Sequence, residues 1–241
     1  MVSYRPAGVK SFVMRLLAIE TATESCSAAL LWDGEVRLRY QVRPRGHSEL
    51  ILGMMDELLA EASIRPQALD AIAFGRGPGS FTGVRIAVGV AQGAAFGAGL
   101  PLLPVSTLAA LAQRAVREQG ARRILAAYDA RMYEVYWGGY EVDAAGLVQE
   151  RLPEAVAAPD AVPLPAEGDW WGVGSGWRSY GPGLTARLGG ARLAGVLPDL
   201  LCSAEDVARL GAQALRQGLA LPPEQGLPVY LRNRVVARPP S

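Results

Sequence analysis

The stretch GRGPGSFTGVRIAVGVAQG, residues 75–93, joins a glycine-rich turn to an apolar helical run. Just before it, LDAIAF, residues 69–74, has the length and composition of a buried strand. Strand, tight turn and helix is a layout that aims free backbone N–H groups at an anion. Neither common nucleotide fingerprint is met, however. A P-loop needs lysine after its last glycine, and Gly83 is followed by Val84. The dinucleotide pattern needs a third glycine where Ser80 follows Gly75 and Gly77. What remains is a turn on Gly77, Pro78 and Gly79, with Ser80 or Thr82 as the helix N-cap and Arg76 and Arg85 close by.

The helix carries more information than the turn. Gly89, Gly93 and Gly97 recur every fourth residue among alanines. Each glycine costs roughly 1 kcal/mol relative to alanine in a helix interior, so something must offset it. A row of small residues lets another backbone come close, and that backbone is either the sheet beneath or another helix. Residues 47–62 form a second apolar helix, with Ser48 or His47 expected near its N-cap. Leu50, Ile51, Leu52, Met54, Met55, Leu58 and Leu59 cover more than one core face. Adjacent methionines suit adaptable surfaces. This helix reads either as deeply buried or as a protein–protein surface. Asp56, Glu57 and Glu61 read as its solvated side.

Around these two helices the chain alternates strands and helices. Residues 16–19 and 27–32 are apolar runs, Asp33-Gly34 is a hairpin turn, and residues 35–42 alternate apolar and polar. A brief strand at PLLPVS precedes a helix over 107–119. The order then restarts with two strands in a hairpin around Asp129, a strand in WWGVGSGW, and a late helix capped by Ser203 with Asp206 completing a capping box. Residues 152–165, with four prolines, read as a loop-rich insertion. The result is an α/β chain in two lobes, each a mixed sheet flanked by helices, with a boundary near 104–110.

Composition narrows the function. Of 241 residues, 24 are basic and 23 acidic, which leaves no strong electrostatic footprint for nucleic acid or anionic membrane. Cys26 and Cys202 are far apart with no CxxC, which fits a reducing cytosol. His47 is the only histidine, so no site here rests on two or three of them. Residues 84–103 are apolar, but Arg85, Gln92, the glycines and Pro101 argue for a soluble helix.

LLAIETATESCSAAL, GRGPGSFTGVRIAVGVAQG, AAYDARMYEVYW, GVGSGW and PVYLRN together resemble the bacterial TsaB (YeaZ-type) family, over nearly everything from Met14 to Val236. The resemblance implies a two-lobed actin-like ATPase (ribonuclease H-like) fold, shared with sugar kinases. It implies a non-catalytic subunit of the machinery that makes threonylcarbamoyladenosine at position 37 of tRNAs reading ANN codons. It implies two partners, the catalytic paralogue TsaD, bound through a helical bundle, and the small ATPase TsaE. It also implies a homodimer when alone, no direct assignment of tRNA contact, and a cytoplasmic location. By position the bundle uses the two helices above, which makes His47, Leu50, Ile51, Met54, Met55, Leu58, Arg85, Gly89, Gly93 and Gly97 the interface candidates.

The places of the fold's phosphate loops look degenerate. The first is Glu20-Thr21-Ala22-Thr23-Glu24, where family members often have Asp in place of Glu20 and where Glu24 adds a second negative charge. The second is Asp129-Ala130-Arg131-Met132-Tyr133, with bulky side chains where glycines would let N–H groups reach a phosphate. A remnant of the adenosine-side loop stands at Gly172, Gly174 and Gly176. Thr21, Thr23, Asp129 and Gly174 are the nucleotide candidates. The expectation is no catalytic residue, no metal, and ATP or ADP held only within a complex. Residues 1–13 are expected to be a disordered extension before a natural start at Met14. Residues 14–108 form the first lobe and 109–241 the second, its last segment packing back on the first. Two other readings compete. One is a stand-alone ATP-dependent small-molecule kinase of the same fold. The other is a hydrolase using Ser80, His47 and Asp129 or Glu24, which lacks a G-x-S-x-G elbow.

Overall fold

The computed structural model describes residues 13–165, 167–189 and 192–232. The expected extension at 1–13 therefore lies outside the described residues, apart from Val13.

Two five-stranded sheets share one plan. In the first lobe β1 (Arg15–Glu20), β2 (Ser25–Trp32) and β3 (Glu35–Val42) form an antiparallel meander. Strands β4 (Ala71–Gly75) and β5 (Leu102–Val105) then add parallel to β1, giving the order β3-β2-β1-β4-β5. The second lobe repeats this with β6 (Arg123–Arg131), β7 (Glu134–Val142) and β8 (Val148–Ala157) as the meander and β9 (Asp169–Val173) and β10 (Arg192–Leu197) as the parallel pair. Residues 16–19 of central β1 and the whole of β4 are apolar because both faces are covered. Edge strand β3 alternates because one face meets solvent. Asp33 and Gly34, both at positive φ, make the tight β2–β3 turn.

Helices fill the spaces between and outside the sheets. α1 (His47–Glu61) and α2 (Phe81–Ala98) cover the outer face of the first sheet. α3 (Thr107–Gln119) lies against the second sheet, and α5 (Ala204–Arg216) against the first, so that these two helices meet between the lobes. α4 (Ser175–Leu188) covers the outer face of the second sheet. Five layers result, and this is the two-lobed actin-like fold. α5 comes late in the chain yet belongs to the first lobe. Gly211 makes this contact close, since a Cβ there would lie 2.7 Å from the Ala73 Cβ. Beyond α5, Leu221 pairs with Leu102 and Gly226 packs on Leu102 and Phe74.

Several local expectations need correcting. Residues 152–165 are not all loop, because β8 runs through Pro153. Strand β8 is the sheet edge, where a missing N–H leaves no ladder bond unmade, and the register shifts near there. The α1 N-cap is Gly46 in the left-handed region, not Ser48 or His47. Ser203 does cap α5 through Glu205 N, but Asp206 does not close a capping box: its buried carboxylate accepts from Arg117 at 3.1 Å. Burial outweighs that guanidinium and holds Asp206 up at about 6. Elements α4 and β10 were not foreseen.

Candidate docking face and interlobe cleft

A cleft of about 760 Å³ opens between the lobes. Its walls are the β1–β2 turn, the starts of α1 and α2, the β6–β7 turn, Ser175 and Arg232. It brings together the turns that carry Thr23 and Asp129, as a nucleotide site of this fold would require.

Many of the groups a phosphate would use are bonded within the chain. The Ser80 N–H donates to Ala22 O at 2.8 Å, and the Ser80 hydroxyl accepts from Gly83 N at 3.1 Å. The Thr21 side chain is fully buried and donates to Gly83 O at 2.7 Å. The Thr23 and Ser25 hydroxyls share a hydrogen bond of 3.0 Å. A Cβ on Gly79 would fall 2.5 Å from Ala22 O, and one on Gly83 would overlap Thr21 O. These glycines let the β1–β2 turn close on the first turn of α2.

Asp129 is similarly engaged. One carboxylate oxygen accepts from Arg131 N at 2.8 Å, and the other accepts from Ser179 at 3.1 Å and pairs with the Arg131 guanidinium at 3.3 Å. It braces a turn in which Arg131, Met132 and Tyr133 all have φ near 60°. Left-handed backbone costs an L-residue roughly 1–2 kcal/mol each. The turn thus keeps a glycine-like path without glycine. Gly174, at φ 96°, is a glycine for packing, since a Cβ would lie 2.5 Å from Ala127 O.

His47 is buried, and its ring nitrogens face Thr21 O at 3.2 Å and Arg43 O at 2.7 Å. It straps the start of α1 to the β1–β2 turn. Ser80 caps α2, and both His47 ring nitrogens face backbone carbonyls, so the hydrolase reading has no base aimed at Ser80. Among the described residues, no group of three or more His, Cys, Asp or Glu stands where a metal ion would sit.

Glu20 is wholly buried at the end of β1. Its carboxylate accepts from Ala22 N at 2.6 Å and Thr107 at 3.4 Å, and a Cβ on Gly75 would overlap it. Burial dominates these bonds and raises it from 4.5 to about 7.

The outer face of the first lobe is different. Gly89, Gly93 and Gly97 are exposed, and a Cβ on any of them meets nothing within 4 Å. The row does not pack on the sheet; Val84, Val88, Ala91 and Ala95 do that. Arg85 begins the same i, i+4 row. Its guanidinium lies 3.3 Å over the Phe81 ring, which stacks on Tyr230 with centroids 6.0 Å apart. Phe81 is 62% and Phe96 82% exposed. On α1, by contrast, Ile51, Met54, Met55 and Leu58 are buried in the core and Leu50 is half-buried. Leu52 is the outward apolar residue there, 54% exposed. Phe81, Phe96 and Tyr230 were absent from the candidates. The two phenylalanines had a signal, as large side chains in a helix of small ones.

This chain is 45% identical to an Escherichia coli (strain K12) protein described as "tRNA threonylcarbamoyladenosine biosynthesis protein TsaB", over 92% of this chain and 96% of that one. The chain belongs to the TsaB (YeaZ-type) family. The TsaB protein of Haemophilus influenzae is 40% identical over 92% of this chain and 95% of its own length. A solved structure described as "YeaZ from Pseudomonas aeruginosa" is 49% identical, covers 90% of this chain and 100% of its own, and superposes with a TM-score of 0.84. The family model "TsaD: tRNA N6-adenosine threonylcarbamoyltransferase" matches residues 41–167, which relates the TsaB fold to that transferase family. The matched span includes α1, α2 and the β6–β7 turn.

Proposed function

We propose that this TsaB-family chain takes part in making threonylcarbamoyladenosine in tRNA, as a non-catalytic scaffold and activator of a TsaD-type transferase. The transferase carries the threonylcarbamoyl group to adenosine 37 of tRNAs reading ANN codons, in the cytoplasm. This subunit docks it through α2, and self-associates through the same face when alone. TsaE joins the assembly, tRNA contact is indirect, and ATP or ADP is held only in the complex.

One observation carries the reading. The Gly89–Gly93–Gly97 row faces outward and empty while Val84, Val88, Ala91 and Ala95 on the opposite side of the helix pack into the core. Three helix glycines cost on the order of 3 kcal/mol against alanine, and among the described residues nothing packs against them. A second helix lying along the row offsets that cost through close backbone contact. The closed phosphate turns support the non-catalytic part. The kinase reading needs those turns open.

The test is size-exclusion chromatography with light scattering on mixtures with the cognate TsaD. The native chain is expected to form a stoichiometric complex and Gly93→Arg to elute alone. Normal complex formation by Gly93→Arg would remove the docking assignment. A Mg-ATP thermal shift in the isolated chain would bring the kinase reading forward.

A further inference from the structure

After α5 the chain does not stop at the first lobe. Val229 N donates to Arg76 O at 2.9 Å, and Tyr230 stacks on Phe81 at the start of α2. Two residues later the chain reaches across the mouth of the cleft. The Arg232 guanidinium pairs with Glu134 of β7, donates to Arg131 O at 3.4 Å and touches the Met132 sulfur at 3.9 Å. Its side chain is largely buried by these contacts and forms part of the cleft wall.

We propose that residues 227–232 form a strap that sets the angle between the lobes, with Arg232 as its latch. The chain is anchored on the first lobe by a backbone bond and an aromatic stack, and on the second by a planar fork that engages a carboxylate and a carbonyl together. The anchor on the second lobe is the strained one. Arg131, Met132 and Tyr133 hold left-handed backbone that their side chains disfavour, and the latch binds the turn in that conformation. Other ties between the lobes lie away from the cleft mouth. Glu154 of β8 bonds Ser106 and approaches Arg76 at 3.6 Å, while Tyr128, Cys202 and Thr107 O link at the base. Those ties hold the lobes together at the base, and the latch fixes their separation at the mouth.

The inference goes beyond the docking role and is tested without any partner. Cysteines placed at the exposed residues Ser48 and Thr185 carry one spin label on each lobe; Cys26 and Cys202 are fully buried and stay unlabelled. Pulsed electron–electron distances should be narrowly distributed in the parent. Arg232→Ala should shift them longer and broaden them, with circular dichroism unchanged. Glu134→Ala, which removes the carboxylate the latch engages, should shift and broaden them in the same direction. An unchanged distribution in Arg232→Ala or in Glu134→Ala would overturn the strap.

Discussion

The Thr21 hydroxyl donates to the carbonyl of Gly83 at 2.7 Å, across 62 residues of sequence, and so ties the β1–β2 turn to the first turn of α2. The contact is possible only because residue 83 has no side chain. Gly83→Ala should therefore destabilise the chain by roughly 1–3 kcal/mol through overpacking, read as a lower midpoint in urea. A midpoint equal to the parent would mean that the turn shifts freely.

Gly93 makes the opposite case. Gly93→Ala fills empty space on a helix and should raise stability by about 1 kcal/mol. Complex formation with TsaD should weaken at the same time. Thermal melts and a binding titration separate the two effects, and a gain in both would contradict the docking face.

Leu58 and Leu52 sit on the same helix with different fates. Leu58 is wholly buried, so Leu58→Ala should cost about 2–5 kcal/mol in chemical denaturation. Leu52→Glu should leave the midpoint within about 0.5 kcal/mol of the parent. A large loss in Leu52→Glu would show that α1 is covered within the folded chain.

Glu20 predicts a pH dependence of unusual sign for a carboxylate. Its pKa is raised on folding, so between pH 4.5 and about 7 the folded state binds the extra proton. Stability from this group is greatest below pH 4.5 and falls as pH rises to about 7. Glu20→Gln removes the buried charge and should flatten this decline, gaining on the order of 3 kcal/mol at neutral pH. Urea midpoints across that window test it, and parallel curves for the two proteins would reject it.

Much of the fold was legible because its signals are local. The Asp33-Gly34 turn, the Ser80 and Ser203 caps and the apolar runs of β1 and β4 express backbone preferences within a few residues. Elements α4 and β10 carried weak signals. Helix α4 contains Gly176, Gly181, Pro182 and Gly183 and has non-helical backbone at Tyr180, so packing on the second sheet holds it against its own propensity. The candidate site was half legible. Glycine spacing marked the α2 row, but the broad apolar pattern of α1 could not distinguish core from docking face.

The sequence alone determined a two-lobed α/β chain, because caps, turns and hydrophobic period are written residue by residue, and its glycine-rich and DAR-M-x-E-V-Y motifs carried the resemblance to the TsaB family. Only the tertiary structure decided which surfaces remain available. It turned the α2 glycines outward, drew Ile51, Met54, Met55 and Leu58 inward, closed Thr21 on Gly83, and brought Arg232 to Glu134. Each outcome depends on which distant backbone arrives to cover a side chain. Burial is a property of the whole packing, and no window of neighbouring residues contains it.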